Sequence, residues 1–438
     1  MDPLALSMLS QEARALLTRL ARVHPFALHE GMVPAAALLP KAQSAIEQYL
    51  VGGRRELWGL IREFLAWLSS PAMAHMSAAQ VQQRFSFLRL KFNAVLTQFD
   101  TFNSVITQRS EHEIGVWLSG LDVVCADALA LPESYYEMPP IICYLDRGVG
   151  AAIRRARTRL PGGGSNPVSI IRVPRERMVG SGIASSIVHE VGHQAAALLD
   201  LTTALRPVLK GMQRGGSPHQ DAWVLWDRWI SEIVADFWSV ARIGIGSTLG
   251  LMGVVSLPRP FVFRMAVDDP HPIPWFRVKL SCAMGNSMYP HPQWARILKV
   301  WESLYPPVRI GAARERIFAE LNATMHGFIA LLMNVRPPLL RGRSLVDVLE
   351  TSKRQPALLI ALFNAWSRNP AGMYRASPCL AFAVIGQARA NGALSPEEES
   401  ELIAKLLTHW ALRSTLDMSS TCAVLGRGGL ARALRAAT

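Results

Sequence analysis

The stretch Ile183-Ala-Ser-Ser-Ile-Val-His-Glu-Val-Gly-His193 decides how the centre of this chain folds. On an α-helix, residues four apart return to one face about one turn along, so His189 and His193 present two imidazoles side by side. Glu190 stands one step round from them. The rest of the segment is apolar, with Ile187 and Val188 before the motif and Ala195–Leu199 after it. Unengaged polar groups are costly in such surroundings. Zinc takes nitrogen ligands at ~2.0–2.1 Å, and two histidines on one rigid turn supply them without ordering a loop. The pattern predicts a helix from Ile183 to about Leu201, entered through a hinge at Gly180-Ser181-Gly182. An accidental match on an amphipathic helix is the plain alternative.

Downstream, a loop over Gly211 to Ser217 ends in Ser217-Pro218, an N-cap followed by proline at the first helical position. The helix it opens is predicted to reach about Arg242 and carries Trp223, Trp226, Trp229 and Trp238. It also carries Glu232 and Asp236, four apart and on one face, among apolar Ile230, Ile233, Val234 and Phe237. A structural zinc wants two further ligands, typically cysteines, and none is close in sequence. A catalytic zinc wants one more protein ligand plus water. Glu232 is the candidate third ligand. Asp236 is the candidate partner for the far nitrogen of a ligand histidine, fixing its tautomer. The competing reading makes both a solvated edge of a tryptophan-rich helix.

Upstream, the texture changes near Pro139. Ile141–Leu145 and Val168–Val173 are short β-branched or apolar runs, Gly148–Leu160 reads as an arginine-rich helix, and Pro161–Pro167 is a loop. Strand, helix, strand is the expected order. The flanks are helical. Glu56–Leu68 and Gln82–Val105 repeat apolar residues at helical spacing, the latter with Phe85, Phe87, Leu88, Leu90, Phe92, Val95, Leu96 and Phe99. Ser395-Pro396-Glu397-Glu398 is a further helix start, leading into Leu402–Leu412. The expected organisation is a helical N-terminal region over 1–135, a core over 136–290 and a helical C-terminal region over 291–438.

At 438 residues, half of them hydrophobic, the chain can bury a large core. Its formal charge of +13 favours acidic partners such as nucleic acid or anionic headgroups. The densest basic run is Arg154, Arg155, Arg157 and Arg159, with Arg172, Arg175 and Arg177 beyond it. No nucleic-acid fold signature accompanies them, so a solvated basic face is the simpler reading. Five cysteines without CxxC spacing, and a start unlike a signal peptide, point to a cytoplasmic protein. Ile243 to Pro258 is the most apolar stretch, but it is shorter than a spanning helix and holds four glycines. It is read as a buried segment, and no transmembrane anchor is expected.

HExxH followed by a helix bearing ExxxD resembles the gluzincin superfamily of zinc metallopeptidases, in which that glutamate is the third ligand. The metzincin pattern fails, because Leu199 stands where a third histidine is required. The interval of 39 positions from His193 to Glu232 is longer than in the thermolysin-like branch. Asp268-Asp-Pro-His271-Pro272-Ile-Pro-Trp-Phe-Arg277 is similar to the HPxxxxR element of the CAAX-type and heat-shock membrane metalloendopeptidases. That resemblance covers about Ile183–Arg277. It implies that His271 lies over the metal and stabilises an oxyanion, and that Arg277 braces the site. It also implies a mainly α chain with a small α+β zincin-like catalytic core, Zn2+ held by His189, His193 and Glu232, and a peptide or protein substrate. Glu190 is then the general base. Tyr289 and His291 lie just beyond and are candidate extra donors, with nothing in their spacing to single them out. Two rivals come from other classes: a basic helical interaction protein keeping a non-catalytic zinc site, and a membrane-associated protease.

Overall fold

A computed structural model describes residues 3–73, 76–148, 150–160, 163–175, 180–214, 219–266 and 269–436. The chain is mainly α-helical with one small three-stranded sheet. In order, the elements are α1 (Pro3–Arg22), α2 (Pro40–Leu68), α3 (Ala78–Thr107), α4 (His112–Leu129), β1 (Ile141–Asp146), β2 (Ala152–Arg154) and β3 (Ser169–Pro174). Next come α5 (Ser181–Leu198), α6 (Leu201–Met212), α7 (Gln220–Ile243), α8 (Ile245–Val255), α9 (Arg259–Val262) and α10 (Pro274–Met288). Then follow α11 (Gln293–Leu304), α12 (Ala312–Asn334), α13 (Leu345–Val348), α14 (Pro356–Arg368), α15 (Ala371–Arg375), α16 (Pro378–Ala390) and α17 (Pro396–Ala436).

Contacts divide the chain into two compact units. One comprises residues 1–119, 139–144 and 154–170; the other comprises residues 120–138, 145–153 and 171–438. These follow contacts, whereas the regions 1–135, 136–290 and 291–438 follow sequence texture.

The first unit is built on α1, α2 and α3. Ile46, Leu50, Leu57, Ile61, Phe64 and Leu68 recur every three, four or seven residues and form the buried stripe of α2. Ser77 caps α3: its hydroxyl accepts from the Gln80 amide at 3.3 Å, and Gln80 Oε1 accepts from the Ser77 amide at 2.9 Å. Phe85, Leu88, Phe92, Val95 and Phe99 of α3 are buried. Phe87 and Leu90 are each 64% exposed, because a run of apolar residues at 85, 87, 88, 90 and 92 is too wide for one helical face.

The sheet corrects one expectation. Gly148–Leu160 is not a helix; it holds β2 and turns, with Arg157 at φ 65° and a bridge between Arg159 and Ser165. Only Ala156 and Leu160 are buried among its described residues, so the segment lacks the continuous apolar face that would hold a helix against a core. The strand order is β1-β3-β2, which makes β3 the middle strand.

The second unit surrounds α5 and α7. Most of helix α7 is buried, Glu232 and Asp236 included. Ser217 and Pro218, the expected cap, lie outside the described residues. Helix α5 stops at Leu198; Asp200 adopts a left-handed conformation at φ 52°, and α6 starts afresh. Most of α8 is buried, as expected for Ile243 to Pro258, and no described helix is long and apolar enough to cross a membrane. The predicted cap at Ser395 forms, the Ser395 amide donating to Glu398 Oε2 at 2.8 Å and the Glu398 amide to Ser395 Oγ at 3.2 Å. Helix α17 runs well past Leu412, to Ala436.

Trp226 anchors this unit. Its ring stacks on Phe328 with centroids 4.4 Å apart, and its Nε1 donates to Thr324 Oγ1 at 2.9 Å. It has no exposed surface. Trp226→Ala therefore removes packing and one hydrogen bond, while the Thr324 hydroxyl keeps Glu320 O at 3.0 Å, and is expected to cost about 3–5 kcal/mol of stability. Denaturant unfolding followed by circular dichroism measures this, and Trp226→Phe should cost less.

Candidate metal centre

Four elements of the second unit supply the site. Helix α5 carries His189, Glu190 and His193, and α7 carries Glu232 and Asp236. Helix α10 carries Arg277, and the loop before it carries His271. The two long helices approach closely because residue 192 has no side chain. A Cβ at Gly192 would lie 2.8 Å from the Ala235 Cα and 2.9 Å from its carbonyl oxygen. That approach lets a glutamate side chain on α7 reach under the imidazoles on α5.

The ligand atoms of His189, His193 and Glu232 all lie within 4.8 Å of one another, and this group can hold a metal ion. Glu232 Oε2 is 3.3 Å from His189 Nε2, and Glu232 Oε1 is 3.4 Å from His193 Nε2. The two rings stand edge to face at 85°, with centroids 4.8 Å apart. Glu232 Oε2 is buried and receives no hydrogen bond. His189 Nε2 and His271 Nε2 stand 3.3 Å from it and Arg277 Nη2 3.7 Å, none forming a well-directed hydrogen bond. Such a buried oxygen is costly, and a cation between it and the imidazole nitrogens would engage it. The residues therefore fit the group that the sequence implied.

Asp236 stands behind His189. Its Oδ1 lies 2.8 Å from His189 Nδ1, so Nδ1 carries a proton and Nε2 faces the centre. Arg277 clamps the same carboxylate through both arms, Nε donating to Oδ2 at 2.6 Å and Nη2 to Oδ1 at 2.8 Å. Ser231, which the sequence reading missed, lies 3.5 Å from His193 Nδ1. Its signal was adjacency to Glu232.

Electrostatics follow from these contacts. Burial pushes the Asp236 carboxyl up, but the Arg277 guanidinium and His189 ring outweigh it and hold the group at about 2. Burial works against charge on His189, and the Asp236 carboxylate overcomes it, raising the ring to about 9. For Glu232, burial is outweighed by His189 and His193, which hold it far below the usual carboxylate range.

His271 comes from the loop and is half exposed. Its Nε2 is 3.3 Å from Glu232 Oε2, so it faces the same centre. Asp269, also missed from sequence, holds it there. Asp269 Oδ1 lies 2.8 Å from His271 Nδ1 and 3.0 Å from the His271 amide, while Oδ2 accepts from Arg264 at 2.9 Å. An aspartate two positions before a histidine is the local signal that was available. Asp268 lies outside the described residues.

A cleft of about 140 Å³ opens onto this cluster. Glu190, His189 and His271 line one part of it, and Leu251 and Val254 of α8 another. Ser185, Ser239 and Ser247 complete it in a linked set, with Ser185 Oγ donating to Ser247 O and Ser247 Oγ to Ser239 Oγ. Sequence reasoning passed over these serines, although Ser185 precedes His189 by one turn. Tyr289 does not join: it is buried, and its hydroxyl donates to Ala241 O at 2.7 Å. His291 lines a different cavity. Strand β3 is paired on both sides, so it presents no free edge to the cleft. Gly150 and Ala151, leading into the outer strand β2, line the cleft instead.

A metal ion must displace the proton held on His189. Divalent-cation affinity is therefore expected to rise from about pH 7 until the pH passes about 9, with proton release on binding. Calorimetry in buffers of different ionisation enthalpy measures that release, and Asp236→Ala should weaken binding by about 10–100-fold. Comparison with protein-family models, with curated proteins and with solved structures found no match.

Proposed function

We propose that this chain is a zinc-dependent hydrolase of the gluzincin kind, cleaving peptide bonds in a peptide or protein substrate. The observation that supports it most is the convergence of two imidazoles and an otherwise undonated, buried carboxylate oxygen beside a cleft that also holds an unassigned acid, Glu190. Two histidines and one carboxylate match a catalytic zinc site, which keeps a position open for water.

Bound there, zinc supplies positive charge that polarises a carbonyl and brings the pKa of water towards ~7. Glu190 follows His189 directly and lines the cleft, where its carboxylate would serve as base to an attacking water without being a ligand. It takes the proton as water attacks and passes it to the departing amine. His271 is turned by Asp269 so that Nε2 faces the centre; as an imidazolium, with its Nδ1–H on Asp269, it would donate its Nε2–H to a developing oxyanion. Arg277 and Asp236 keep His189 in its working tautomer.

Purified protein is expected to carry about one zinc per chain, read by elemental analysis. Glu190→Gln should lower turnover of a quenched fluorescent peptide library by at least about 100-fold and leave the zinc content unchanged. His271→Ala should lower kcat by about 100–1,000-fold, with little change in zinc content. Protein without metal, or turnover indifferent to Glu190→Gln, would remove the basis for the assignment.

A further inference from the structure

A second cavity lies on the far side of α10 from the metal centre. At about 100° per residue, Lys279, Cys282, Ala283 and Asn286 point within about 60° of the direction opposite Arg277. They form one wall of a cavity of about 510 Å³, closed by α11, the turn before it and α12. That volume falls in the range of small-molecule sites, ~300–1,000 Å³.

The lining divides by chemistry. Trp294, Leu298, Met325 and Ala283 give an apolar surface. Trp294 is fixed in place. Its Nε1 donates to Tyr289 O at 2.8 Å, and its ring lies flat against Gly285, where a Cβ would come within 2.3 Å of it. Cys282 adds to this surface, since burial pushes its thiol up to about 12 and keeps it neutral. The polar groups include one cation and two further donors. Lys279 brings an ammonium and Asn286 an amide. His291 Nδ1 accepts from the Gln293 amide at 3.3 Å, which leaves the proton on Nε2. Ser287 has already given its hydroxyl proton to Ala283 O. No acidic residue lines the cavity. The nearest carboxylate to Lys279 among its ion pairs is Glu302, at 3.9 Å and 40% exposed. His326 is exposed at the rim.

An apolar chamber whose cation, Lys279, meets only the partly exposed Glu302 at 3.9 Å and the face of Trp275 selects an apolar molecule with one anionic head. We infer that this cavity binds an amphipathic carboxylate. The hydrocarbon body lies against Trp294, Leu298 and Met325, and the head is held by Lys279. The inference is independent of the chemistry at the metal centre.

Isothermal titration calorimetry of the full chain tests it with decanoate, decanol and decyltrimethylammonium. Decanoate is expected to bind at one per chain, with decanol weaker by about tenfold or more, as loss of a charge-assisted hydrogen bond requires. Decyltrimethylammonium should not bind. Ala283→Leu fills the chamber and should abolish decanoate binding with the thermal unfolding midpoint unchanged. Lys279→Met should weaken decanoate by about tenfold and leave decanol unaffected. The proposal is overturned if wild-type protein shows no saturable decanoate binding, or if decanol binds as tightly. It is also overturned if Ala283→Leu binds decanoate like the wild type, which is the result expected of a carboxylate held at the metal centre.

Discussion

The backbone contact between α5 and α7 at Gly192 governs the geometry of the site. A glutamate side chain is short, and it meets two imidazoles on another helix only when the helix axes come unusually close. With the Ala235 Cα only 2.8 Å from where a Cβ at residue 192 would stand, any side chain there would force the helices apart. Such a shift would carry Glu232 and Asp236 away together, since both ride on α7. Glycine in the middle of a helix costs roughly 0.5–1 kcal/mol relative to alanine. Here that cost is offset by an approach that no larger residue permits.

Much of this was legible. Spacing put His189 and His193 on one face and Glu232 and Asp236 on another, because both pairs are local consequences of helical period. The direction of the Asp236 contact followed from the need of a ligand histidine for a partner on its far nitrogen. The burial of α8 followed from its length and its glycines. The placement of His271 was suggested by a resemblance, since nothing in helix or strand periodicity reaches across a loop.

What failed was non-local or excessively local. Pairing order in a sheet depends on contacts between distant segments, so Val168–Val173 could be seen as a strand but not as the middle one. The arginine-rich segment has the composition of a helix, although among its described residues only Ala156 and Leu160 find a core. In α3 the apolar count overstated the buried face, leaving Phe87 and Leu90 in solvent. Asp269 and the three serines were invisible for another reason. Their importance lies in which side chain they touch, and short polar residues in loops and helices are too common to signal it.

Charge balance ties the site together. Glu190, Glu232 and Asp236 are all buried, and Arg277 is the cation packed among them. With neutral histidines, three carboxylates and one guanidinium leave a charge of two minus in a poorly solvated place. Burying such an excess is costly unless it is compensated. Protonation of His189, which the Asp236 carboxylate favours, removes one unit of it. A divalent cation removes both units, engages the undonated oxygen of Glu232, and leaves His189 neutral with its lone pair directed inwards. A purely structural cluster would need only as many carboxylates as its cations can neutralise. The surplus acid is a property expected of residues arranged around an ion that the sequence does not encode.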